Sequence, residues 1–356
     1  MLSVGDVKLE YSPKVYILIL NWNGWSDTLE CLESVFRSNY TNYQVIVCDN
    51  DSQNNSIERI KAWADGTLNA YVHPANPLRH LSFPPIKKPI GYVEYNRTQA
   101  ECGGQSCTTS TPLIIIKTGA NLGFAGGNNV GLRYAMARND FDYIWLLNVD
   151  TVIDMFALSE LVKRMDERID AGLCGSTLLF YDKPDTVQGL GGAKYNPIFA
   201  TSRHLGLNQK ANLSISQSAV EKELHYIIAA SMLIRKSFIR STGLMCEDYF
   251  LYFEEIDWAI RGRKLFSLAY SNHSIVYHKE GSCIGSSSDP LLKSDMSDYF
   301  NIRNRFLLTR KYYPIFIPAI YLSMLVVIIN RLKRKKFNRI ATVFRAVLNY
   351  KYYLSF

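Results

Sequence analysis

Short apolar runs separated by helix-length amphipathic segments constrain this chain more than any other feature. VYILIL (15–20) has strand length and stops at NWNG, and SDTLECLESVFRS (26–38) then sets Leu29, Leu32, Val35 and Phe36 at helical spacing behind Ser26, a fitting N-cap. YQVIVCDND (43–51) is a second run and SIERIKAWA (56–64) a second helical segment. Runs apolar throughout suit strands buried on both faces, as in parallel sheets. Strand, helix, strand, helix in that order implies right-handed crossovers and a parallel sheet covered by helices. Ligands of such sheets sit beyond the carboxyl ends of the strands, where Asn21, Asn23, Asp49 and Asn50 fall.

Residues 65–112 interrupt this rhythm. Pro, Gly, Ser and Thr are dense and apolar periodicity is lost, so the segment reads as an insertion, partly a long loop. Its Cys102 and Cys107 lack the spacing of a metal site and read as ordinary thiols. The pattern resumes with LIIIK (113–117), the loop TGANLGFAGGNN, the helical VGLRYAMAR, the strand YIWLLNVD (143–150) and the amphipathic DMFALSELVKRMDERI (154–169). HYIIAASMLIRKSFI (225–239) reads as a strand followed by a turn or helix.

With 47% hydrophobic and 20% charged residues, the 356-residue chain has the composition of a folded protein, not a disordered one. Its seven cysteines make no CxxC pair, which argues against a zinc site of usual spacing or a disulfide framework and for a reducing, cytoplasmic setting. MLSVGDVKLEYSPK places acids before a short apolar run, unlike a secretory leader. The net charge of +8 is unevenly distributed: residues 299–356 carry twelve Lys and Arg and no acid, leaving −4 on residues 1–298. The expected organisation is an α/β domain over 1–298 and a basic, apolar, membrane-associating helical tail over 299–356.

Three stretches carry chemistry. GFAGGNN (123–129) could bring backbone amides close to a phosphate, but it lacks the GxGxxG order of dinucleotide loops and serves equally as a plain turn. In LLNVDT (146–151) an apolar run delivers Asn148 and Asp150 to the sheet edge. Residues i and i+2 of an extended segment point the same way, so both oxygens suit one hard cation, Mg2+ or Mn2+; an Asx turn is the competing reading. DYFLYFEEIDWAIRGR (248–263) sets Asp248, Glu254, Glu255 and Asp257 among aromatic residues. Buried acids cost several kcal/mol unless paired, metal-bound or protonated, so this stretch is either a surface helix or a site. Asp257 and Arg261, at i and i+4, suggest a helix pair worth only ~0.2–0.5 kcal/mol if exposed.

Taken in order, ILNWNG, VIVCDNDS, NLGFAGGNNVGLRYA, LLNVDT, EDYFLYFEEIDWAIR and VYHKEGS resemble the motifs of family 2 glycosyltransferases, and in particular bacterial rhamnosyltransferase-like members, over roughly residues 14–310 without the insertion. The resemblance implies a GT-A fold, a Rossmann-like nucleotide-binding mixed sheet flanked by helices. It also implies a nucleotide-diphospho-sugar donor (dTDP- or UDP-sugar), a divalent cation and inversion at the anomeric carbon. By matching position it implicates Asn21 and Asp49 in holding the nucleotide and Asn129 in the loop near the donor. Asp150 resembles the metal-binding acid of the family's DxD motif, with Asn148 where the first Asp often stands; an amide there can coordinate but brings no charge. Glu254-Glu255 occupies the place of the family's Glu-Asp pair, so Glu255 is expected as catalytic base and Glu254 as its rival. His278 resembles the third metal ligand, beside Asp150. Tyr249, Phe250, Tyr252, Phe253 and Trp258 would divide between acceptor walls and core.

YYPIFIPAIYLSMLVVIIN (312–330) is apolar, but Pro314 and Pro318 leave only AIYLSMLVVII uninterrupted, short of the ~20 residues a span needs. Arg303, Arg305, Arg310 and Lys311 precede it and RLKRKK (331–336) follows. Cations on both sides favour a helix lying on an anionic cytoplasmic leaflet over one that crosses. The expected protein is thus cytoplasmic, peripheral on the inner face of the membrane, and extends a glycan acceptor, lipid-linked and of O-antigen or capsule type. A nucleotidyltransferase also combines acids, metal and nucleotide, but needs no acid pair so far downstream. An RNA-binding protein would use the basic tail, yet that tail is fused to an aliphatic run that fits lipid better, so no nucleic-acid partner is expected.

Overall fold

The structure, a computed structural model, describes residues 12–105, 111–211, 214–279 and 294–349. Its first half holds β1 (Val15–Asn21), α1 (Trp25–Val35), β2 (Tyr43–Asp49), α2 (Ser56–Asp65), β3 (Tyr92–Asn96), α3 (Arg97–Glu101), β4 (Leu113–Lys117), α4 (Gly123–Arg138), β5 (Tyr143–Asn148), β6 (Thr151–Ile153) and α5 (Ala157–Glu167). Then come β7 (Ala171–Phe180), β8 (Lys183–Leu190), β9 (Gly192–Asn196), β10 (Thr201–His204), α6 (Gln217–Glu221), β11 (Tyr226–Ile227), β12 (Ser231–Arg235), α7 (Lys236–Thr242), α8 (Glu254–Gly262) and β13 (Ser267–His278). Three helices follow: α9 (Asp295–Tyr312), α10 (Ile317–Lys333) and α11 (Phe337–Asn349).

The main sheet runs β3-β4-β2-β1-β5-β12-β7-β13-β6, with β8 paired to β7 off that path. The strands from β3 to β5 are mutually parallel, as the apolar runs imply. β12 enters antiparallel between β5 and β7, and β6 is antiparallel to β13, so the sheet is mixed. A small sheet, β10-β9-β11, stands apart. Successive strand side chains point to opposite faces. Ile17, Ile19, Val45, Val47 and Trp145 therefore meet α1, α2 and α5, whereas Tyr16, Leu18, Ile46, Cys48 and Leu146 meet α4 and α7. Each such burial contributes about 1.5–3 kcal/mol.

Three expectations change. First, α4 begins at Gly123, not after the glycine stretch. A Cβ at Gly127 would lie 2.5 Å from the Leu20 side chain, and one at Gly131 2.3 Å from Leu18. Those glycines lie inside α4, not in a turn before it, and let the helix lie close on β1. Second, residues 65–112 are not simply a loop: β3 extends the sheet edge and α3 follows behind an Asn96–Gln99 capping box. The irregular part lies on α1, where the buried Glu33 accepts from Lys88 Nζ (2.5 Å), Ile86 N (2.9 Å) and the Trp63 indole (2.8 Å). Cys102 is exposed, and Cys107 lies outside the described residues.

Third, the expected boundary at 298/299 falls inside α9. Ile302, Phe306 and Leu308 of α9 share a core with Tyr195 and Tyr226 of the small sheet, and with Phe253 and Ile256 at α8. α10 adds Ile320 and Met324, and α11 adds Val343 and Ala346. The other face of α10 is bare, with Leu322, Leu325, Val326 and Ile329 exposed. Pro314–Lys333 is 20 residues long and apolar enough to cross a membrane. Its prolines fall at the starts of their helical turns, where no backbone donor is needed, so they do not shorten it. Residues 350–356 of the tail lie outside the described residues.

Candidate active site

Strands β1, β2, β4 and β5 end along one edge. Their register sets Asn21 beside Asp49, Asp49 beside Lys117, and Leu20 beside Asn148. The buried Asn21 is fully engaged within the protein. Its Nδ2 donates to Asp49 Oδ2 (2.6 Å) and Ser52 Oγ (3.1 Å), and its Oδ1 accepts from Thr28 Oγ1 (3.0 Å) and Gly24 N (3.2 Å). Asp49 Oδ1 also accepts from Ser52 N (2.9 Å). Each carboxylate oxygen keeps a further lone pair. Asn21 thus fixes Asp49, and Asp49 retains acceptor capacity for a ligand. Asn50 holds the approach to α4, donating to Asn121 Oδ1 (3.0 Å) and accepting from Leu122 N (3.0 Å). Asn129 does not join this cluster. Its amide donates to Met245 O (2.9 Å) and Glu247 Oε1 (2.8 Å), anchoring the segment that leads to the acid pair.

Beyond β5 the chain turns through Asn148 and Asp150 into β6. Asn148 N donates to Ala230 O (3.1 Å), and Thr151 Oγ1 to Asn148 O (2.7 Å). β13 pairs with β6 so that His278 stands opposite Thr151, which brings the imidazole to Asp150. Nε2 lies 3.1 Å from Asp150 Oδ1, while Nδ1 meets Gln188 Oε1 at 2.8 Å. Gln188 therefore holds the ring with Nε2 turned to the carboxylate, the arrangement in which both can share a cation. Among the described residues no group of three or more His, Cys, Asp or Glu forms a metal cage. Two protein ligands fit a Mg2+ or Mn2+ whose other positions go to diphosphate oxygens and water, not a structural metal.

A network missed by sequence reasoning fixes this corner. Lys279 N donates to Asp150 O (2.9 Å), and Lys279 Nζ pairs with Asp27 (2.6 Å) and Glu30 (2.6 Å). Glu30 also accepts from Tyr181 OH (2.7 Å) and Ser82 Oγ (3.2 Å), and Asn76 donates to Tyr181 OH (2.7 Å). The insertion thereby braces the strand end that carries His278.

The loop 247–253 delivers the acids. It passes through three non-glycine residues in the left-handed region, Phe250 (φ 61°), Tyr252 (φ 68°) and Phe253 (φ 76°). Each costs of order 1–3 kcal/mol and persists only where its surroundings hold it. Two buried residues of α9 do so. Asn304 Nδ2 donates to Tyr249 O (2.9 Å), Leu251 O (2.8 Å) and Tyr252 O (3.0 Å), and Arg303 Nη2 donates to Asp248 O (2.6 Å). Phe124 N donates to Phe250 O (2.6 Å), tying the loop to the start of α4 at the same sheet edge.

Glu254 and Glu255 then open α8, the first buried and the second half-buried. One carboxylate oxygen of each is sealed from solvent without a hydrogen-bond partner. Burial raises Glu255 to about 7; burial and the charge of Glu255 raise Glu254 well above the usual carboxylate range. Two acids side by side, of unequal proton affinity near neutrality, suit proton acceptance by one of them. Tyr226 lies within electrostatic reach of Glu255, and Ala230, four residues on, is bonded to Asn148. This short stretch runs from the neighbourhood of Glu255 to Asn148.

Asp257 differs. It is fully buried and accepts from Arg261 Nε (2.6 Å), Lys311 Nζ (2.7 Å), Tyr312 OH (2.7 Å) and Tyr249 OH (3.1 Å). Burial pushes its carboxyl up, but Lys311 and Arg261 outweigh that and hold it low. The pair suggested for Asp257 and Arg261 is thus a buried anchor between α8 and α9. Tyr249 and Trp258 are core, and Phe250 stacks on Phe300 at 4.7 Å.

A mixed Rossmann-like sheet with an acid–histidine pair beyond one central strand and an acid pair on a following helix is a GT-A fold. The chain belongs to glycosyl transferase family 2, whose profile matches residues 16–77 and 101–242. The gap in the match falls within the insertion, and the match ends before Glu254 and His278. Two curated relatives are similar at 24% identity. The dTDP-rhamnosyl transferase RfbF of Shigella flexneri matches over 55% of this chain and 63% of its own length. The low-salt glycan biosynthesis hexosyltransferase Agl10 of Haloferax volcanii matches over 60% and 66%. This chain thus covers just under two thirds of each. Among solved structures, the mannosyltransferase PcManGT from Pyrobaculum calidifontis, in complex with GDP-Man and Mn2+, shares the fold with a TM-score of 0.51 at 12% identity, over 95% of this chain and 75% of that one. GalNAc-T7 with UDP, GalNAc and Mn2+ does so with a TM-score of 0.56 at 11% identity, over 88% and 51%.

Proposed function

We propose that this protein is an inverting, metal-dependent glycosyltransferase. It moves a hexosyl or deoxyhexosyl group from a nucleotide-diphospho-sugar to a hydroxyl of a lipid-linked glycan, such as an O-antigen or capsule precursor, at the cytoplasmic face of the membrane. One observation carries the reading: Glu255, a carboxyl raised to about 7 beside a second buried acid, follows a loop that Phe124 ties to the start of α4, and His278 Nε2 meets Asp150 beyond β5. The relative RfbF, a dTDP-rhamnosyl transferase, favours a dTDP-sugar donor, with a UDP-sugar as the second to test.

In this mechanism Glu255 takes the acceptor hydroxyl proton as that oxygen bonds to the anomeric carbon, while the bond to the nucleoside diphosphate breaks on the opposite face. Glu254 keeps its proton, so Glu255 ionises without a second buried charge beside it. Asp49 accepts hydrogen bonds from the nucleoside, and Asn148 offers an uncharged oxygen near the diphosphate. A Mg2+ or Mn2+ held by Asp150 and His278 would neutralise charge growing on the leaving diphosphate. The exposed apolar face of α10 and the cations at its end support docking on an anionic membrane with the helix in plane, because Ile320 and Met324 bind its other face to the protein.

The test is incubation with a panel of dTDP- and UDP-sugars and Mn2+, with wild type and Glu255→Gln compared and the product anomer assigned by NMR. Nucleoside diphosphate release with inversion, abolished in the variant, is the expected result. Pyrophosphate release would favour a nucleotidyltransferase, and retained configuration would remove Glu255 as the base.

A further inference from the structure

We infer that Arg133 and Glu247 are positioning residues for the acid pair, and that the insertion acts through them on the loop that carries it. This deepens the transferase reading and rests on it for the role of Glu255.

The insertion lies along α4. A Cβ at Gly103, just beyond α3, would lie 3.4 Å from the Ala137 side chain, and Arg138 Nη1 donates to Gln105 O (3.1 Å). One turn earlier on α4, Arg133 Nη1 pairs with Glu101 (3.3 Å), the last residue of α3, which Arg97 Nε also holds (3.0 Å). The other arm of the same guanidinium, Nη2, donates to Glu247 Oε1 (2.7 Å). Arg133 thus grips one carboxylate from the insertion and one from the segment that leads to Glu254 and Glu255. A planar fork does so with fixed geometry.

Asn129 stands one turn before Arg133 on the same face of α4. Its amide takes both backbone groups of Met245, donating to O (2.9 Å) and accepting from N (3.1 Å). It also donates to Glu247 Oε1 (2.8 Å), so that one oxygen receives two donors from α4. Burial pushes the Glu247 carboxyl up, but Asn129 and Arg133 outweigh that and hold it low, so it faces Arg133 as an anion at neutral pH. Glu247 O in turn accepts from Phe250 N (3.1 Å), which closes the turn that opens into the left-handed Phe250, Tyr252 and Phe253. Asn304 holds the far side of that loop, and Glu247 fixes where it starts.

The Arg133 and Glu247 side chains are 32% and 42% exposed, and an ion pair so open to water contributes little to stability. What it supplies is placement. Strained residues persist only where their surroundings hold them, and an acid pair displaced by about 1 Å loses much of its rate. The insertion also braces the strand end that carries His278, through Asn76 and Ser82. One inserted segment therefore reaches both the Asp150–His278 corner and the acid pair.

The test compares full-length wild type, Arg133→Leu, Arg133→Lys, Glu247→Leu and Glu101→Gln. Hydrogen exchange is followed at residues 245–255, dTDP and UDP binding with Mn2+ by calorimetry, and kcat on the nucleotide sugar that wild type turns over. Arg133→Leu and Glu247→Leu should melt close to wild type, yet exchange severalfold faster at 245–255 and unchanged in β1 and β2. Their nucleotide affinity should stay within twofold while kcat falls about 10–100-fold. Arg133→Lys should recover part of that loss, and Glu101→Gln should show the same pattern more weakly. Exchange and kcat unchanged in Arg133→Leu would overturn the positioning role. Nucleotide affinity falling in step with kcat would overturn it too, in favour of general stability. Glu101→Gln indistinguishable from wild type would remove the insertion from the chain of contacts. Should wild type turn over no nucleotide sugar, the transferase reading fails, and the exchange measurement still decides whether Arg133 holds the loop.

Discussion

Glu255 shares a partly closed site with a second glutamate, and its ionisation governs two measurable quantities. As the proposed base it must be charged, so kcat/KM for transfer should rise with pH through about 7 and level off above. Glu255→Gln should lower kcat by about 10²–10⁴-fold; a flat profile from pH 6 to 8 would assign the proton transfer elsewhere. Stability runs the other way. A carboxyl raised from its ordinary 4.5 to about 7 contributes stability that is full below 4.5 and lost as pH rises through 7. Glu255→Gln cannot ionise, so calorimetry should show it melting above wild type at pH 8, with the gap closing toward pH 5. Gln188 acts on a neighbouring group. By holding His278 Nδ1 it aims Nε2 at Asp150, so Gln188→Leu should weaken Mn2+ binding in the presence of nucleoside diphosphate by on the order of 10–100-fold. Unchanged affinity would show that the ring needs no such support.

The loop 247–253 gains its shape from a helix that begins more than forty residues later. Its left-handed residues have no glycine to ease them, and Asn304 supplies the compensating donors. Asn304→Leu keeps the volume and removes this amide, at about 1–3 kcal/mol for each carbonyl left unpaired, while Tyr249 O keeps Arg303 Nη1 and Leu251 N. Hydrogen exchange should then quicken at residues 249–255, and kcat should fall at least tenfold while the donor KM stays within twofold. Exchange rising evenly over the whole chain would mean that Asn304 serves general stability instead. The RNR at 303–305 was legible in sequence only as positive charge. The roles of Arg303 and Asn304 depend on carbonyls brought to them from another segment, and charge counting cannot see those. The glycines of α4 misled for a related reason. A glycine before a helix reads as a turn, and only the Leu18 and Leu20 side chains on β1 show that the missing Cβ atoms make room for close packing.

Across the molecule, α9, α10 and α11 complete one core with the small sheet and α8, so removing the tail should unfold the catalytic half along with it. Lys333 closes α10 and Arg334, Lys335 and Lys336 follow it, while Arg331 is held by Asp298. Full-length protein should therefore sediment with anionic vesicles at low salt and be released as salt rises. Replacing Lys333, Arg334, Lys335 and Lys336 by Gln should weaken binding by about 1 kcal/mol per charge. Replacing Leu322, Leu325 and Ile329 by Ser should weaken it at every ionic strength. Protein that stays wholly in the supernatant at low salt, without detergent, would refute the docking.

Consecutive residues alone determined the parallel α/β core, the sheet edge where Asn21, Asp49 and Asn148 gather, and the order of the acid motifs, because periodicity and β-branched runs act over a few positions. Only the tertiary structure decided which acids are buried unpaired and which are neutralised. Glu254 and Asp257 sit three positions apart in one helix, yet Asp257 alone meets Lys311 and Arg261. The free energy of a buried charge is set by what surrounds it in space, and those neighbours come from distant parts of the chain.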